Sequence, residues 1–235
     1  LIFDMTMTTP AAPRAILFDL DGTLADTAPD LAAAVNLLRS TRGLEPTAYE
    51  ILRPTASAGA RGMIGASFGL TPEDDGYLAL RDEFFSNYEA AIAVHSRLFD
   101  GIPELLAGIE AAGLQWGVVT NKSKRFTDPL LTQIGLGHAA CAISGDTTAH
   151  AKPHPAPLLE AASRLKLAPE QCWYVGDDLR DIQAGKAANM LTIACSWGYC
   201  GATSPESWQA DYLFQQPAEL LALIQAALAG DALAA

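Results

Sequence analysis

Asp19 and Asp21 stand two residues apart at the end of the apolar run Ala15-Ile16-Leu17-Phe18, and Gly22 and Thr23 follow them. A strand places residues i and i+2 on the same side. Both carboxylates therefore converge where the strand stops, and Leu20 turns back into packing. Two carboxylates this close repel unless a proton or a cation lies between them. A hard divalent ion such as Mg²⁺, which prefers oxygen ligands, is the natural remedy. This is the equipment of phosphoryl transfer through an aspartyl-phosphate: one carboxylate attacks and the other manages a proton. A plain strand followed by an Asp-Gly turn has the same local pattern, so the reading depends on the rest of the chain.

The elements around this pair alternate. Helices are predicted over 101–112, 124–134, 155–165, 179–188 and 217–229, and short apolar strands over 116–120, 141–144, 172–175, 191–194 and 212–214. Strands alternating with helices imply right-handed βαβ units and a mostly parallel sheet covered on both faces. The expected fold is α/β, a Rossmann-like parallel sheet with helices on both faces. Ligands bind such sheets at the carboxyl ends of the strands, and Asp19, Thr120, Ser144 and Asp177 all fall there. Between Asp26 and Arg97 the rhythm differs. Helices are predicted over 27–40, 48–52, 60–68 and 72–93, with no strand among them. Asp26 or Thr27 is placed to cap the first, with Asp30 in its first turn. The expected division is a core of residues 14–25 and 98–235 and an inserted α-helical cap of residues 26–97. An insertion leaving just past Asp19 is placed to act as a lid.

The totals narrow the function. Of 235 residues half are apolar and 18% are charged, a globular composition with material for a large core. The formal net charge of −12 disfavours a nucleic-acid partner. It does not disfavour a small phosphorylated metabolite, because a few placed cations and a metal invert a local field. Cys141, Cys172, Cys195 and Cys200 form no CxxC and no zinc spacing, as expected of reduced thiols in a cytoplasmic protein. No run is long enough to span a membrane. Residues 1–13 have no signal-peptide pattern and are expected to be a disordered or cloning-derived lead.

Four segments in order resemble a known family: Asp19-Leu20-Asp21-Gly22-Thr23; Val118-Val119-Thr120-Asn121; Lys152-Pro153; and Val175-Gly176-Asp177-Asp178 with Asp181 beyond. From Pro13 to Leu228 the chain resembles a haloacid dehalogenase superfamily phosphatase of the phosphoglycolate phosphatase type, with a helical cap inserted after the first strand. The resemblance implies that Asp19 is the nucleophile and Asp21 the general acid/base. It implies Mg²⁺ held by Asp177, the Asp19 carboxylate and the Asp21 main-chain carbonyl. It also implies that Thr120 and the Asn121 main chain bind the phosphoryl group, with Thr23 beside them, and that Lys152 neutralises charge on that group and on Asp19. Asp178 and Asp181 belong to the surrounding shell: Asp181 would orient Asp177 or a water, and Asp178 would equally serve as a surface helix cap. A dehalogenase expels halide, which needs no proton, so Asp21 and Asp177 point to phosphate esters.

In the insertion, Gly59 and Arg61 are the specificity candidates, because glycines at a helix start expose N–H groups to an anion and an arginine grips a carboxylate with two prongs. Trp197-Gly198-Tyr199 reads mainly as packing under the lid. His150 and His154 flank Lys152 in a proline-containing loop, which does not suit a helical metal pair. Gly59-Ala60-Arg61-Gly62, the stretch from Trp116 to Lys122, and Trp197-Gly198-Tyr199 also resemble N-acetylmuramic acid 6-phosphate phosphatases. Phosphoglycolate is the first expectation for substrate and this sugar phosphate the alternative. A phosphomutase and a non-catalytic binding protein are the competing classes. The protein is expected to be a monomer or a homodimer.

Overall fold

The strand β1 (Ala15–Phe18) is buried along its whole length, and its alternate residues serve two cores. Ile16 and Phe18 enter one apolar cluster, Ala15 and Leu17 another. The period of two along a strand is what divides them. In this computed structural model, which describes residues 10–201 and 203–234, the chain continues through β2 (Ala25–Asp26), α1 (Ala28–Ser40), α2 (Tyr49–Leu52), α3 (Gly59–Phe68), α4 (Tyr77–Ala90) and β3 (Arg97–Leu98). Five further strands follow in alternation with helices: α5 (Ile102–Ala111), β4 (Gln115–Val119), α6 (Lys124–Gln133), β5 (Cys141–Ile143), α7 (Ala156–Leu165), β6 (Cys172–Gly176), α8 (Leu179–Ala187), β7 (Leu191–Cys195), β8 (Tyr212–Phe214) and α9 (Pro217–Ala234). Of the lead expected over residues 1–13, residues 1–9 lie outside the described residues, and Pro13 is buried.

Six strands form one sheet in the order β5-β4-β1-β6-β7-β8, and every pairing is parallel. From β1 the chain builds outward through β4 and β5, then crosses back to lay β6 on the other side of β1. The loops after β1 and β6 therefore open a crevice at the carboxyl edge. Residues of α5, α6 and α9 pack with Ile16, Phe18, Trp173 and Val175; those of α7 and α8 pack with Leu17, Cys172 and Tyr174. Both faces of the sheet are thus covered, as the unalternating strands require. Four free thiols are present, three of them buried, and among the described residues no helix is long and apolar enough to cross a membrane.

Between β2 and β3 the chain forms α1 to α4. The helix α1 packs on α3 and α4, and Leu38, Leu52, Met63, Phe84 and Tyr88 are buried among them. The exit and return are an antiparallel pair, Ala25 with Leu98 and Asp26 with Arg97, which two-residue strands are too short to announce in sequence. Asp30 strengthens this junction. Its carboxylate, expected only to favour the start of α1, accepts the main-chain N–H groups of His95 and Ser96 and the Ser96 hydroxyl. The fourth helix begins at Tyr77, later than predicted. Asp74 accepts the N–H and hydroxyl of Thr71 and closes a turn, and Gly76 at φ 85° stops a helix from continuing back through it.

Candidate active site

Asp19 directly follows β1. The turn beyond it is wound on the Leu20 carbonyl, which accepts the N–H groups of Leu24 and Ala25. Gly22 sits in that turn at φ 89°, and a Cβ there would lie 2.1 Å from Asp177 Oδ2. Only glycine lets the first turn and the β6 carboxylate come this close. Asp19 is 7% exposed and Asp177 and Asp181 are fully buried.

Lys152 is the cation of the cluster. Its Nζ lies 2.9 Å from Asp19 Oδ1, 2.7 Å from Asp181 Oδ1, 2.8 Å from the Tyr174 hydroxyl and 3.0 Å from the Val119 carbonyl. Its main chain is clamped by the Asn121 side chain, which donates to the Lys152 carbonyl and accepts its N–H, both at 2.9 Å. Sequence reasoning assigned Asn121 a main-chain role at the phosphate; the side chain has this second task of holding the lysine. Burial opposes the Lys152 charge, but Asp181 and Asp19 outweigh it and raise its pKa. Burial also raises the Asp19 carboxyl, against the pull of Lys152, to about 7.

Asp177 has no cation of its own among the described residues. Burial, and after it Asp19 and Asp181, push its pKa well above the usual carboxylate range. Its oxygens accept the Thr23 hydroxyl at 3.0 Å and the Tyr199 N–H at 2.8 Å. Thr23 is therefore turned onto Asp177 and is absent from the cavity lining: a fully buried hydroxyl takes the nearest strong acceptor. Asp19, Asp177 and Asp181 can each offer an oxygen within 4.8 Å of the others. Asp181 is already engaged, with Oδ1 on Lys152 and Oδ2 accepting the Asp178 N–H at 3.1 Å. The donor set is all oxygen and is short of positive charge, so the residues fit a hard divalent cation.

These raised carboxyls predict a pH-dependent stability. Folded-state pKa values above the ordinary carboxylate range mean that the folded form holds the proton more tightly. The stabilisation is full below the unfolded pKa and is lost as pH rises through about 7. The metal-free protein should melt at higher temperature at about pH 5 than at about pH 8, and Mg²⁺ should raise the melting temperature by several degrees at the higher pH only. Equal Mg²⁺ shifts at both values would contradict a cation among ionised carboxylates.

Asp178 caps α8: its carboxylate accepts the Arg180 N–H and pairs with the Arg180 guanidinium at 2.8 Å. Arg180 also donates to the Ser57 carbonyl of the inserted segment. Asp21 accepts the Thr27 hydroxyl and lies 3.1 Å from Lys122 Nζ. Thr27 thus does not cap α1 with its side chain. The Tyr199 hydroxyl takes over that end, accepting the N–H groups of Thr27 and Ala28 at 2.8 and 2.9 Å. Tyr199 so joins the Asp177 carboxylate to the start of the insertion, more than the packing role read for it. Lys122, Tyr174, Arg180 and Tyr199 were missed as site residues, because each also meets a partner far off in sequence: Tyr88 for Lys122, Lys152 for Tyr174, Ser57 for Arg180 and Thr27 for Tyr199. Only the place of Lys122 two residues past Thr120 hinted at its role.

A cavity of about 340 Å³ opens above these groups. Its floor holds Asp19, Asp21, Thr120 and Lys152, and its roof is formed by Gly59, Arg61, Tyr77, Arg81 and the aromatic residues Phe84, Phe85 and Tyr88. The geometry therefore brings every sequence-predicted residue except Thr23 and Asp177 to the wall of one chamber, and Asp177 lies just behind Asp19.

A family model described as haloacid dehalogenase-like hydrolase matches residues 16–195. The chain is 45% identical to the N-acetylmuramic acid 6-phosphate phosphatase of Pseudomonas putida over 219 residues, covering 92% of this chain and 98% of that protein. It is 48% identical to a phosphoglycolate phosphatase of Xanthomonas campestris over 210 residues, covering 88% and 95%. In structure it resembles a predicted phosphoglycolate phosphatase from Haemophilus somnus, with a TM-score of 0.80 at 27% identity, covering 92% of this chain and 99% of that one.

Proposed function

The chain belongs to the haloacid dehalogenase-like hydrolases, and from that premise we propose that it is a cytoplasmic Mg²⁺-dependent phosphatase acting on a small phosphomonoester through an aspartyl-phosphate. The observation that carries this is Asp19, held by Lys152 beside Asp177 on the floor of a cavity that also exposes Asp21 and Thr120. An oxygen of Asp19 attacks phosphorus, and the bond from phosphorus to the alcohol oxygen breaks. Asp21 gives that oxygen a proton and later takes one from the water that releases phosphate. Lys152 and Thr120 face the charge that spreads over the phosphoryl oxygens. Mg²⁺, held by Asp19, Asp177 and the Asp21 main-chain carbonyl, would supply positive charge against the same oxygens. Release of phosphate from p-nitrophenyl phosphate, abolished by EDTA and restored by Mg²⁺, tests the proposal. EDTA-insensitive turnover, or none with Mg²⁺, refutes it.

The named relatives divide between two substrates, and both substrates carry a carboxylate. Arg61 makes no ion pair among the described residues and reaches the cavity wall close to Tyr77 and Arg81. It is the cation placed for that carboxylate. A volume of about 340 Å³ lies in the range that encloses whole drug-sized ligands. With its aromatic roof it favours the bulkier N-acetylmuramic acid 6-phosphate over phosphoglycolate. Arg61→Ala should cost about 10-fold in kcat/KM for the carboxylate-bearing substrate, and leave p-nitrophenyl phosphate nearly unaffected. An unchanged preference between the two would remove Arg61 from the site. Comparing kcat/KM for the two acids with the unaltered protein decides which is the better substrate.

A further inference from the structure

The two oxygens of Asp21 are not equivalent. Oδ1 accepts the Thr27 hydroxyl and stands 3.1 Å from Lys122 Nζ. Oδ2 has no hydrogen-bond partner among the described residues, and the residue lines the cavity. Lys122 is held at both ends. Its Nζ lies 3.1 Å from the Tyr88 hydroxyl and 4.6 Å from the centre of that ring. Its N–H donates to Thr120 Oγ1 at 3.1 Å, and its carbonyl accepts the Gly145 N–H at 2.8 Å. The side chain is 8% exposed. A solvated lysine keeps its rotamer freedom, whereas this one has surrendered it to hold a single carboxylate oxygen.

We propose that Lys122 is a positioning residue for proton transfer: by gripping Asp21 Oδ1 it aims Oδ2 at the alcohol oxygen of the substrate. The inference rests on the acid/base reading of Asp21 given above. In that step the bond between phosphorus and the alcohol oxygen breaks, its electron pair stays on oxygen, and the proton of Asp21 Oδ2 moves there, leaving Asp21 a carboxylate. The step needs a short, aligned approach, so a carboxylate free to rotate loses rate without losing affinity. Tyr88 belongs to α4, so the grip also ties the acid to the roof of the cavity.

The test is kcat/KM, which reports the steps up to departure of the alcohol. It compares an alkyl phosphate (phosphoglycolate or N-acetylmuramic acid 6-phosphate, whichever the wild-type protein uses better) with p-nitrophenyl phosphate, whose phenolate leaves without a proton. Lys122→Met should lose on the order of 10²-fold on the alkyl phosphate and less than about 3-fold on the aryl one. Tyr88→Phe keeps the ring and should show the same selectivity at a smaller loss, about 5-fold. If Lys122→Met loses equally on both substrates, the lysine binds phosphate or serves the fold, and the proposal is overturned. If Lys122→Met does not fold, as judged by circular dichroism, Tyr88→Phe decides by the same comparison. Asp21→Asn separates the premise from the inference. Should it lack this leaving-group dependence, the acid/base reading itself falls and the role of Lys122 with it; should it show the dependence while the Lys122 and Tyr88 variants do not, only the positioning role falls.

Discussion

Asp19→Asn should abolish turnover, on the order of 10⁴-fold or more in kcat, while leaving the fold at least as stable as before. The amide keeps the shape of the carboxylate and removes the oxygen nucleophile. It also removes a charge that the folded protein tolerates poorly, since burial raises the Asp19 pKa to about 7. Asp177 and Asp181 lie in the same cluster, so one fewer carboxylate relieves their mutual repulsion. Lys152 retains Asp181 at 2.7 Å and is not orphaned. A melting temperature at about pH 8 without metal that equals or exceeds that of the wild type, together with loss of activity, is the expected pair of results. Turnover within about tenfold of wild type would place the nucleophile elsewhere. Intact-mass detection of a phosphorylated wild-type protein, absent from the variant, would locate the covalent step.

Lys152→Ala should damage both properties. The ammonium contacts Asp19, Asp181, Tyr174 and the Val119 carbonyl from a position 5% exposed. Its loss leaves two buried carboxylates without a cation, a change that costs about 3–5 kcal/mol when a buried pair is broken. It also removes a group that faces the transferring phosphoryl, worth on the order of 10²-fold or more in kcat. The stability loss should be largest at about pH 8 and shrink toward about pH 5, where the Asp19 carboxyl can take up a proton instead. Urea unfolding at the two pH values measures the first effect and saturation kinetics the second. Near-normal kcat would mean that the lysine is a structural counter-ion only.

These two variants rest on residues that could be read directly. Asp19, Asp21, Thr120, Lys152 and Asp177 lie at strand ends or in the loops beyond them, and a parallel sheet brings its carboxyl ends to one edge whatever its detailed packing. The strands could be found because each is short, apolar and bounded by turn residues. The expectations that failed locally did so for equally local reasons: the start of α4 is moved by the Thr71–Asp74 turn and Gly76, and the strands flanking the insertion have two residues each.

What sequence could not show is which side chain each polar group would meet. Thr23 and Asp177 are 154 positions apart and Thr27 and Tyr199 are 172 apart. Thr23 follows the first acidic pair directly, and its hydroxyl bonds a carboxylate beyond another strand. Asn121 and Lys122 follow the same strand, yet one clamps the main chain of Lys152 and the other grips Asp21.

The amino-acid order alone determined the chemistry: an α/β sheet, an acidic pair at its first strand, a later acid and a lysine to balance them, and a helical insertion beside them. The tertiary structure alone decided the division of labour, namely which oxygens stay open to a substrate, which are tied down, and how large a chamber covers them. The reason is physical. Strand periodicity and turn chemistry act over a few residues, whereas a buried hydroxyl or ammonium is satisfied by whichever acceptor the packed sheet brings within about 3 Å.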